Sequence, residues 1–128
     1  MPQTPPKKKV LLTHLDWNLQ RLDESIKQGH TDYYKSAALQ RFGYTYTMAI
    51  KNIHGFAEFE EEPEEEKCIA RATQSRWIGD SHQWEEMTTD FKRINQKPAV
   101  KEAEEIFQKL PLYQQALNEL YLTLQKLV

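Results

Sequence analysis

Two short stretches concentrate the side chains that could meet a ligand. In "LQRFGYTYTMAIK", residues 39–51, Arg41 interrupts an otherwise apolar pattern, with Tyr44 and Tyr46 beside it and Lys51 further on. Such an Arg either lays its stem along the edge of a fold or presents a planar cation to an anionic ligand. In "DFKRINQKPA", residues 90–99, Lys92, Arg93 and Lys97 follow Asp90 with no further acid. That stretch reads as a reactive site, a binding lip or a turn, depending on what it joins. A third pattern is Arg76 and His82 with five residues between them, followed by Trp84. There an Arg steadies charge on a developing phosphorane while a His moves a proton. The bland alternative is a helix-end cation and a first-turn surface His.

Other chemistry is poorly supplied. His14, His30, His54 and His82 are scattered without a recurring ligand spacing, so no metal site is assigned. Cys68 follows an acidic run, which raises a thiol's pKa and dulls it as a nucleophile. Glycine-rich phosphate loops and serine elbow motifs are absent from the sequence.

Five helical patterns must position these groups. Leu11, Leu12, Leu15, Leu19, Leu22 and Ile26 form one face of the first, which Gly29 ends. Thr31 caps the second, and Tyr34, Phe42, Met48, Ile53 and Phe56 recur along it at helical spacing, with Gly43 inside. Seven glutamates between residues 58 and 66 read as a solvated connection, and Pro63 opens a third helix that Gly79 stops. Asp80 and Gln83 have capping-box spacing for a fourth, carrying Trp84, Met87, Phe91 and Ile94. "DFKRINQKPA" is then the end of that helix and the turn beyond it. A fifth stripe runs from Val100 to Leu127. It keeps its phase across Pro111, which implies a kink rather than a chain reversal.

The sequence of 128 residues suits one domain. We expect an all-α fold: a four-helix up-and-down bundle with an additional short helix, five helices in all, over residues 10–128. Residues 1–9, with three prolines and three lysines, read as a disordered tail. A net charge of −2 gives no bulk attraction to nucleic acid or to a membrane. One cysteine excludes an internal disulfide, and the lack of an apolar leader or spanning run suggests a cytoplasmic protein. The many large aromatics exceed what one small bundle buries, which points to a homodimer.

"LQRFGYTYTMAIKNI" resembles the "QRFEYTFELAWK" signature of the nucleotidyltransferase substrate-binding proteins, small HepT-like members of the HEPN group. "ARATQSRWIGDSHQWEEMTTD" followed by "AEEIFQKLPLYQQALNEL" resembles the later part of that family's pattern. The resemblance spans roughly residues 10–125. It implies a helical bundle that dimerises and pairs with a separate minimal nucleotidyltransferase encoded nearby. The partner would supply nucleotide, divalent metal and catalytic carboxylates, so no cofactor is expected on this chain. This chain would hold a small acceptor substrate of unknown identity in a groove at the dimer face. We place that groove at Arg41, Tyr44, Trp84, Asp90 and Arg93, with the two arginines as anion contacts.

The departures from the family pattern are informative. HepT-type toxins carry Arg, His and Tyr where this sequence, counted without a gap, has Phe91, Gln96 and Pro98. Phe cannot neutralise phosphate, Gln does not titrate near neutral pH, and Pro has no hydroxyl. Gly43 stands where the family commonly has Glu. We therefore assign no catalytic residue and expect a non-catalytic subunit. The alternative is a divergent HEPN-type ribonuclease toxin of a toxin–antitoxin pair, using Arg76 and His82, or Arg93, in a shifted site.

Overall fold

A computed structural model describes residues 6–28, 31–59 and 64–128. Its elements are five helices: α1 Pro6–Lys27, α2 Asp32–Ala57, α3 Glu65–Gln74, α4 Ser81–Asn95 and α5 Val100–Gln125. The fold is all-α, as the spacing of apolar residues required. None of these helices is long and apolar enough to cross a membrane.

Local signals explain most of the boundaries. Thr31 is the N-cap of α2, its hydroxyl accepting from the Tyr34 amide at 3.3 Å. Asp80 caps α4 by accepting from the Gln83 amide at 3.1 Å. Each bond satisfies a donor that the first helical turn leaves without a partner. The fifth stripe forms one helix straight through Pro111, with no reversal. Gly29 and Pro63 lie outside the described residues.

Two expectations are corrected. The tail assigned to residues 1–9 is helical from Pro6 onward. Lys8 holds that first turn, with Nζ 2.9 Å from the Glu58 carboxylate at the far end of α2 and 5.4 Å from the Phe56 ring centre. The third helix ends at Gln74, before Gly79. Arg76 takes the left-handed conformation there (φ 64°), and the Trp77 amide turns back to the Ala72 carbonyl at 2.8 Å. Burial of Ile78 and packing of Trp77 edge-on to Phe56 accompany this closure, so apolar contact rather than glycine stops the helix.

Helix α2 touches all four others. It runs antiparallel to α1, where Asn52 donates to the Leu11 carbonyl (3.0 Å) and Thr45 to the Asn18 carbonyl (3.3 Å). It runs antiparallel to α4 and alongside α5, where Phe42 stacks on Tyr113 at 5.4 Å. Helices α1, α2, α4 and α5 thus alternate in direction, and the short α3 packs against α2 and α4. The core is built from Leu15 and Leu22 of α1, Phe42 and Ile53 of α2, and Leu110 and Leu117 of α5, all sealed from water. Burying each such side chain contributes about 1.5–3 kcal/mol.

Candidate functional site: an open groove beside a buried polar network

The end of α4 carries a buried carboxylate with three partners. Asp90 is 1% exposed. Its carboxylate accepts from the Tyr113 hydroxyl (2.5 Å), from Lys109 Nζ (3.1 Å) and from Arg93 Nη1 (3.0 Å). Arg93 reaches on to Glu102 at 3.0 Å, and Tyr113 also donates to Glu86 at 3.2 Å. A buried carboxylate is tolerable only when paired in this way. The network joins α4 to α5 by charge where their backbones do not pack closely. Burial, reinforced by Asp90, pushes the Tyr113 hydroxyl far above its ordinary range, so it remains a donor. Tyr46 is likewise pushed up by burial, with Glu65 adding to the effect; it shares a 2.6 Å hydrogen bond with Thr88.

An open groove of about 790 Å³ lies between α2, the end of α4 and the turn into α5. That volume falls in the usual range for small-molecule sites. Gly43 lets the groove floor down to Phe91, whose ring would stand 3.8 Å from a Cβ at position 43. Phe91 in turn packs on Tyr46 with ring centres 4.6 Å apart. Tyr33 and Tyr44 form an aromatic wall, 76% and 52% exposed. Gln40 donates to the Tyr44 hydroxyl at 3.0 Å and so fixes its tip. Asn95 and Lys97 close the opposite side. Lys97 is held in the left-handed region (φ 54°), its amide donating to the Ile94 carbonyl at 3.2 Å.

The five residues proposed from sequence are not gathered here. Only Tyr44 lines the groove. Arg41 points toward α1, its guanidinium carbon 5.6 Å from the Trp17 ring centre. Trp84 is 2% exposed and packs beside Tyr46, so its face is taken by core contacts. Asp90 and Arg93 form the polar network behind the groove and hold α4 and α5 in place around it. The groove itself rests on Tyr33, Gly43, Phe91 and Lys97, which the sequence reading did not choose. Lys97 had a signal, because "DFKRINQKPA" marks it as a cation next to a proline turn. Phe91 had one too, as the aromatic standing where a catalytic Arg would be.

The remaining chemical groups lie apart. Arg76 is exposed on the turn after α3 and His82 in the first turn of α4, with His82 Nδ1 3.9 Å from Glu85. Cys68 is buried, and burial together with Glu65 pushes its thiol up, away from the reactive form. A second cleft of about 580 Å³, between α3 and α4, carries Glu66, Glu85 and Lys92.

No curated protein matches the chain significantly. One family model does match, over residues 11–126, which covers all but the ends of the sequence. The signature segment of α2, the Asp90 network and all of the five-helix fold but the first turn of α1 fall within that match, and the chain belongs to the family described as nucleotidyltransferase substrate binding protein like.

Proposed function

We propose that this chain is the non-catalytic, substrate-binding subunit of a two-component nucleotidyltransferase, and that the groove between α2 and α4 holds the acceptor. The observation that carries this reading is a preformed groove, of small-molecule size, lined for binding. Aromatic faces, amides and a single cation surround it, and its described lining contains no carboxylate, histidine or thiol. Carboxylates able to hold Mg²⁺ would then come from a partner. A separate minimal nucleotidyltransferase, carrying nucleotide and metal, is the matching component. The exposed Tyr33, Tyr44 and Val100 supply apolar area for dimerisation beside the groove, which would place the acceptor at the dimer face.

Coexpression with a minimal nucleotidyltransferase encoded nearby tests the pairing. The reading expects the two chains to purify as one complex, with this chain causing no growth arrest and cleaving no RNA on its own. RNA cleavage abolished by His82→Ala would overturn it in favour of the ribonuclease alternative.

A further inference from the structure

We propose that the groove selects an anionic, hydroxylated acceptor with a flat apolar face, and that Lys97 is the residue that reads its charge. This rests on the groove being the acceptor site. The first argument is charge. Acidic residues number 19 in the sequence, and the neighbouring cleft displays two of them. Among the described residues lining the groove there is none. A polycationic acceptor would find no counter-charge there, and would lose its hydration without repayment.

The second argument is how Lys97 is presented. It occupies the left-handed position just after α4, where glycine or asparagine is the usual choice. A lysine there carries backbone strain. The turn sets the Lys97 stem against the cavity, and Pro98 follows directly, which restricts the conformations the turn can take. The ammonium makes no ion pair or hydrogen bond with another described residue, in contrast to Lys8, Lys35, Lys92 and Lys109, which each pair with a carboxylate. It is therefore free to meet a ligand anion.

The third argument is the shape and polarity of the rest. Tyr33 and Tyr44 on one side and Phe91 on the floor suit a planar face. Gln40, Ser36 and Asn95 offer donors and acceptors to hydroxyl groups. An acceptor for nucleotidyl transfer needs a nucleophile, and such a set can orient a hydroxyl.

Three matched probes test the assignment on the full chain, with amide chemical shifts as the readout: 4-nitrophenyl β-D-glucuronide, the uncharged 4-nitrophenyl β-D-glucoside, and kanamycin. The glucuronide should shift the Gly43, Tyr44 and Asn95 amides and bind about fivefold more tightly than the glucoside at low salt. Lys97→Gln and Lys97→Gly should both reduce glucuronide binding to the level of the glucoside. The glycine variant keeps the left-handed turn, so its loss of binding is read without loss of fold. Kanamycin should leave the groove amides unmoved. Equal binding of glucuronide and glucoside, or glucuronide binding unchanged in both Lys97 variants, overturns the charge assignment and leaves the groove as the acceptor site. Kanamycin saturating the same amides overturns the anionic class. Failure of all three probes to move the groove amides overturns both readings.

Discussion

Asp90 shows how much of a junction one buried side chain can hold. Its carboxylate gathers Arg93, Lys109 and Tyr113 at the junction of α4 and α5. Asp90→Ala leaves Lys109 without its carboxylate, Arg93 with only Glu102 and a buried hydroxyl with only Glu86. We predict a loss of about 2–4 kcal/mol in chemical denaturation. Asp90→Asn keeps an acceptor for Tyr113 but surrenders the charge, and should cost about half as much. If Asp90→Asn proves as damaging as Asp90→Ala, the hydrogen bond to Tyr113 is not what matters. At the same scale, Phe91 replaces a charge with an aromatic floor.

On the scale of single elements, the two interior glycines of α2 make a controlled pair. Both weaken a helix by up to about 1 kcal/mol relative to alanine. At Gly43 an added Cβ would meet only Phe91 Cε1, at 3.8 Å, which is ordinary contact. At Gly55 it would come to 2.5 Å from a Leu11 methyl, where α1 crosses close to α2. Gly43→Ala should therefore raise the melting temperature, and Gly55→Ala should not. An equal gain in both variants would show that α1 and α2 are less closely packed than described. On α5, Pro111 denies the Phe107 carbonyl its donor within a continuous helix. The side chain at 111 is exposed, so Pro111→Ala should stabilise by about 1–3 kcal/mol. A destabilised variant in urea titration would mean that the bundle needs the proline's geometry.

Taken whole, the molecule seals two tyrosines among carboxylates, and this gives it an alkaline limit. Tyr46 and Tyr113 titrate well above 10 when folded and near 10 when unfolded. Below that pH both are neutral in either state, and their contribution is complete. As pH rises past it, the unfolded tyrosines lose protons while the folded ones keep theirs. Stability then falls by about 1.4 kcal/mol per pH unit for each tyrosine. Denaturation midpoints of the parent and of Tyr46→Phe/Tyr113→Phe, compared from about pH 9 to about pH 11, should show a shallower decline in the variant. Identical slopes would mean that neither tyrosine is held neutral by the fold.

The sequence by itself determined the helices, the caps at Thr31 and Asp80, the up-and-down order and the family. Each of these is written in local spacing: apolar residues every three or four positions, a capping side chain before a helix, a signature read in order. The sequence also pointed to α2 and the end of α4, between which the groove lies. What it could not decide was which way each side chain faces. Arg41 and Tyr44 are three positions apart on one helix. They stand only about 60° apart around the helix axis, yet the first reaches Trp17 on α1 and the second lines the groove. Trp84 and Asp90 looked like ligand contacts because they are aromatic and charged, yet packing draws both inward. Lys97 looked like a loop cation until the left-handed turn set it on the groove wall. A helix fixes its own periodicity, but only its neighbours determine which of its faces is covered and which is left open to a ligand.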